Sequence, residues 1–181
     1  MTAKPIITVA VFALTVAAAW AQAPSPSANA GAPNDAQIAG IVVAANQIDI
    51  DAAKLAKSRT KNKEVAGFAQ RMITDHTSVN KQAVALVKKL KVKPEQSETS
   101  KSLKSEAAEN MKKLKGLKGA DFDRAYIDHE VDYHQTVLDA LDKTLIPGAS
   151  NAELKDLLTK VRPAIAAHLE HAKKIQSTLA K

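Results

Sequence analysis

Glu130 and His134 stand one helical turn apart in the stretch DFDRAYIDHEVDYHQTVLDALDKTL, residues 121–145. Stepping about 100° per residue from Phe122 places Tyr126, Tyr133, Val137, Leu141 and Leu145 on one half of a helix, with Asp128, Asp132, Gln135, Asp139 and Lys143 on the other. By position, Glu130 and His134 belong to the apolar half. A buried carboxylate or imidazole is costly unless something satisfies it. The same count finds three more polar residues on apolar faces. Asp49 lies within about 20° of Ile38 and His76 within about 20° of Val65, and His168 falls in the stripe Leu154, Leu158, Ile165, Leu169 and Ile175. His129, His171 and Asp75 fall at stripe edges, and Asp51 faces outward. Neutral imidazole and carboxylate oxygen together suit a divalent transition metal, Zn, Fe, Mn or Cu. His76, His134, His168, Glu130 and Asp49 are therefore the candidate ligands.

Five helices must position these residues. The first is expected from an N-cap at Asn34 or Asp35 to about Lys57, and the second from Glu64 to about Leu90. A shorter amphipathic helix, Ser97 to Lys115, follows the Pro94 break. The helix at 121–145 should stop at Ile146-Pro147-Gly148, and the last starts from a cap at Ser150 or Asn151 and contains Pro163. Short first and third connections make the flanking helices antiparallel neighbours. The expected fold is all-α, an antiparallel four-helix bundle with a short extra helix in the crossover between helices two and three. Residue counts from the loops bring Glu130, His134, His168 and His76 to similar heights along the bundle. Asp49 fits worst, offset from His76 by about 7 Å at 1.5 Å per residue.

The chain has 181 residues, 25% charged and 3% aromatic, so Ala, Leu, Val and Ile must fill its core. Lys4, an apolar run from Ile6 to Trp20 and the small residues around Ala21 lay out a secretory signal peptide over residues 1–21. Residues 22–34, rich in Ala, Pro, Ser, Asn and Gly, read as a disordered linker before a domain at 35–181. The expected location is the periplasm or the exterior, with outer-membrane association included. Cys is absent, so neither disulfides nor thiolate ligands are available. Haem is not expected, because no Cys-x-x-Cys-His occurs to attach it. No Gly-x-Ser-x-Gly and no phosphate-binding Gly-rich loop is present. The formal net charge is +7, carried mostly by lysines at 54–63, 81–93 and 101–118. Without an arginine cluster or interleaved aromatics these are solvated faces, suited to weak contact with anionic envelope polymer or lipid and not to nucleic acid.

The segments FAQRMITDHTSVN (68–80), FDRAYIDHEVDYHQTVL (122–138) and VRPAIAAHLEHAKKI (161–175), behind a signal peptide, resemble the bacterial domain of unknown function 4142 family. That family is placed in the ferritin-like superfamily. The resemblance implies an exported helical bundle, often labelled an outer-membrane protein, with no established reaction. Its histidine pattern falls on His76, His134 and His168. Di-iron ferritins use Glu-x-x-His on each of two helices; no such pair occurs at the inward positions here, which argues against ferroxidase chemistry and iron storage. Two functions compete: a periplasmic divalent-metal-binding bundle, and a non-catalytic envelope or stress-associated interaction protein whose buried polar residues close on one another without metal.

Overall fold

The computed structural model describes residues 32–180. The expected signal peptide, and the expected linker up to Gly31, lie outside the described residues. Four long helices, α1 (Asp35–Arg59), α2 (Lys63–Lys89), α4 (Gly119–Ala140) and α6 (Ala152–Leu179), form the bundle, and α3 (Glu98–Gly116) lies in the crossover. Helix α1 packs along α2 and α4 along α6. The two hairpins then meet through α1 with α4 and α2 with α6, while α3 lies against α1 and α4. Among the described residues there is no strand, and no helix is long and apolar enough to cross a membrane.

Local chemistry sets the helix ends. Asn34 accepts from the Gln37 backbone N–H while the Gln37 side chain accepts from the Asn34 N–H, a reciprocal cap. Asn62 and Asn151 cap α2 and α6 in the same way as each other, each accepting from two first-turn N–H groups. The Asp35 carboxylate accepts from the N–H groups of Ser150 and Asn151 at 2.9 and 3.0 Å, tying the start of α1 to the start of α6. At the opposite end the Arg59 guanidinium donates to the Lys115 carbonyl at 2.8 Å, so α1 closes the end of α3.

Helix α4 does not stop where the Pro-Gly pair suggested. It continues through a π-helical turn, Leu141–Leu145, in which Ile146 N–H reaches back five residues to the Leu141 carbonyl, and then one further turn, α5 (Ile146–Gly148). Pro147 follows directly on the π-helical turn, and its fixed φ suits the helical backbone that continues there. Pro163 likewise lies inside α6 without dividing it.

The core falls into two apolar clusters. One gathers Phe68, Met72, Phe122, Tyr126 and Ile127 with small residues of α1 and α6. The other gathers Ile38, Ile41, Leu138, Leu141, Leu158 and Ile165. Between them lie the buried polar residues Asn46, Asp49, His76, Glu130, His134 and His168.

Two positions in this frame were invisible to periodicity. Gly40 faces the Glu95 backbone so closely that a methyl group would collide with the Glu95 carbonyl oxygen, and Glu95 N–H donates to the Ala36 carbonyl at 2.9 Å. Gly40→Ala should therefore lower stability by about 1–3 kcal/mol through overpacking, read by denaturant unfolding. Lys91 ends α2 with φ 55°, and its N–H bonds Lys88 while that of Val92 bonds the Val87 carbonyl. That Schellman geometry favours glycine. Lys91→Gly should raise stability by about 0.5 kcal/mol in the same measurement.

Candidate metal centre

Each long helix sends at least one polar side chain into the layer between the two apolar clusters. Helix α1 supplies Asn46 and Asp49, three residues apart on one face. Helix α2 supplies His76, α4 supplies Glu130 and His134 one turn apart, and α6 supplies His168. The ring centroids of His76, His134 and His168 lie 5.7, 5.3 and 5.4 Å from one another. One nitrogen from each of the three lies within 4.8 Å of the others, and the same limit holds for Asp49, Glu130 and His134.

Each of these three imidazoles has one nitrogen engaged on its outer side. His76 Nδ1 is 2.7 Å from Asn46 Oδ1, and Asn46 Nδ2 donates to the Val42 carbonyl, which leaves the amide oxygen to accept. His134 Nδ1 donates to the Glu130 backbone carbonyl at 2.9 Å. His168 Nε2 donates to Asp75 Oδ2 at 2.8 Å. Those protons leave lone pairs on His76 Nε2, His134 Nε2 and His168 Nδ1. None of the three atoms has a hydrogen-bond partner among the described residues, and neither oxygen of Asp49 has one. Yet Asp49 Oδ2 lies 3.2 Å from His76 Nε2 and 3.4 Å from His134 Nε2. Three electron-rich atoms thus face one another in a dry interior.

The electrostatics follow from that burial. Desolvation, reinforced by the nearby Glu130 charge, pushes the Asp49 carboxyl well up. Burial raises Glu130 to about 8, with the Tyr126 phenol offsetting a smaller part. Burial, then the neighbouring imidazoles, lowers His76 to about 3. Burial also lowers His168 to about 4 against the opposing pull of Asp75. Asp75, partly exposed, shows the reverse balance: burial acts to raise it, but hydrogen bonds from His168 and Arg71 together bring it down.

The five residues singled out in the sequence, Asp49, His76, Glu130, His134 and His168, are all buried in this one layer. Asp49, expected to be offset, is in fact central. The helices begin and end such that it lies 10 residues before Arg59 and His76 lies 13 after Lys63. Side chains also lean toward the N-terminus of their own helix, which in an antiparallel pair closes the remaining gap. His129 and His171 stay outside the cluster, His129 stacked on Tyr133 and His171 edge-on to Phe68. Sequence reasoning missed Asn46 and left Asp75 at an edge. The available signals were the three-residue spacing of Asn46 from Asp49 and the adjacency of Asp75 to His76.

The pattern of the family described as Domain of unknown function (DUF4142) matches residues 21–175. The chain belongs to that family. Among solved structures, this DUF4142 chain is similar to a Streptomyces coelicolor protein described as secreted, DUF305, with a TM-score of 0.66 and 12% identity over 80% of this chain and 92% of that one. At that identity the likeness establishes a shared ferritin-like helical fold. No curated protein matches the chain.

Opposed titrations set a stability profile for the protein treated with chelator. Glu130 binds a proton in the folded state up to about pH 8 but in the unfolded chain only to about 4.5, so its contribution is lost as pH rises through that interval. His76 and His168 refuse protons that the unfolded chain takes up below about pH 6.5, so stability is lost as pH falls from there towards 4 and then 3. The thermal midpoint should peak near pH 6.5 and fall on both sides, and Glu130→Gln should flatten the alkaline limb.

Proposed function

We infer that this DUF4142 bundle is an exported binding protein for a divalent transition-metal ion, Zn, Fe, Mn or Cu, with His76, His134, His168 and Asp49 as ligands and Glu130 beside them. The observation that carries this reading is the set of three inward lone pairs, each fixed by an acceptor on the opposite ring nitrogen: Asn46, the Glu130 carbonyl and Asp75. That is how metal-binding histidines are held, with the outer partner fixing tautomer and ring direction.

Distances fit as well. Ligand atoms about 2.0–2.2 Å from a tetrahedral ion stand about 3.3 Å apart. Asp49 Oδ2 lies 3.2 and 3.4 Å from the two nitrogens nearest to it. A divalent ion would take the place of the Asp49 proton and draw Asp49 back to its carboxylate form. The buried Glu130 carboxylate would neutralise the remaining charge. Export rests on the leader at residues 1–21, and the description of the DUF305 neighbour as secreted agrees with it.

The test begins with metal content in protein purified from the cell envelope, followed by chelation and titration with each of the four metals. A bound ion at a thousandfold excess over its dissociation constant adds about 4 kcal/mol, on the order of 10 °C in thermal midpoint. Asp49→Asn and His76→Gln should keep the helical signal and abolish that shift. Asn46→Ala and Asp75→Asn, which disturb only the orienting partners, should weaken affinity about 10–100-fold. Protein whose midpoint ignores all four metals would overturn the reading and leave the interaction-protein alternative.

A further inference from the structure

The two apolar clusters are not equally filled. The rings of Phe68, Phe122 and Tyr126 all pack in the cluster on the Met72 side of the polar layer. The other cluster contains no aromatic ring. In that half the structure holds a cavity of about 190 Å³, bounded by α1, α2, α3, α4 and α6 and ending against His76, His134 and Asn46. The π-helical turn forms part of its wall through Leu141, Thr144 and Leu145. Such turns widen a helix locally and recur at functional sites. Ala45 and Ala140 stand where larger side chains would close the space.

The chemistry of the lining is nearly exhausted. Among the described residues, no Lys, Arg, Asp or Glu borders the cavity. Asn46 is engaged at both its oxygen and its nitrogen. The Tyr133 hydroxyl donates to the Ala45 carbonyl at 2.9 Å. Among the described residues, the exposed lining residues are Thr99 of α3 and Thr136 and Thr144, which mark the mouth. A charged group entering here would lose its hydration with nothing to replace it. An apolar cavity of roughly 150 Å³ stays dry and takes up benzene, so this one has room for a ring and one or two atoms more.

We propose that the cavity is a binding site for a small uncharged apolar molecule, a single-ring aromatic or a short alkyl alcohol, whose hydroxyl is met by the threonines at the mouth. It ends against the His76 and His134 rings, but most of its wall is aliphatic and its polar mouth is made by threonines, so the binding it offers does not require an ion. The site is therefore separable from the metal reading.

The test is calorimetric or NMR titration of the purified protein with toluene, p-cresol and 1-hexanol, and with their anionic counterparts benzoate and hexanoate. It is run once after chelation and once with the metal that gives the largest thermal shift. The uncharged probes should bind in both samples, at least tenfold more tightly than the anions. Ala140→Leu fills the cavity from α4 and should weaken that binding at least tenfold while metal titration is unchanged. Val161→Phe fills it from α6 and serves if the first variant is unstable. Equal binding of charged and uncharged probes, no binding, or full binding by a folded filled variant would overturn the site. Probe binding in protein that ignores every metal would support the cavity and remove only the metal reading.

Discussion

The structure turns on one buried contact. An oxygen of the Asp49 carboxyl group, which burial holds towards its protonated form, is wedged between the ring nitrogens of two imidazoles, with a third imidazole alongside, and all are shut away from water. A bundle stabilised only by apolar packing would gain from replacing each of these residues with Leu or Ala. The chain instead commits one or more positions on every long helix to the same layer. It adds Asn46 and Asp75, whose contribution is to hold the rings at a fixed angle. Under the proposed function, this inward-aimed arrangement is what would hold the cation.

That layer also divides the interior into halves with different properties. On one side the small residues of α1 let large rings approach closely, and burial there is nearly complete. On the other the core is aliphatic, α4 relaxes into a π turn, and space remains. The polar layer prevents the two clusters from merging, because apolar side chains cannot fill across it without stranding a carboxylate.

Most of the architecture was legible in the sequence because amphipathic periodicity and capping residues act locally. The stripes named His76, His134 and His168, and the Asn caps fall where the helices begin. What periodicity could not give depends on how helices meet. Asn46 bears no charge and its partner lies 30 residues away. Asp75 sits off the apolar stripe of α2 and reaches His168 only because α6 packs beside it. The height of Asp49 was misjudged because residue counts give backbone positions, whereas side chains in antiparallel helices lean toward each other's level. The run through Pro147 was hidden because a proline is read as a stop, and the π turn that accommodates it has no simple residue signature.

The position of the layer relative to the hairpins gives it a mechanical meaning. Within each hairpin, α1 on α2 and α4 on α6, contact is extensive; between hairpins, α1 on α4 and α2 on α6, it is much sparser. Asp49 and His76 come from one hairpin, Glu130, His134 and His168 from the other. In the proposed reading, an ion held by both sets would join the two halves where side-chain packing does least. A cavity beside the same seam is bounded by helices from both hairpins, and its aliphatic wall is supplied by packing on either side of the polar layer.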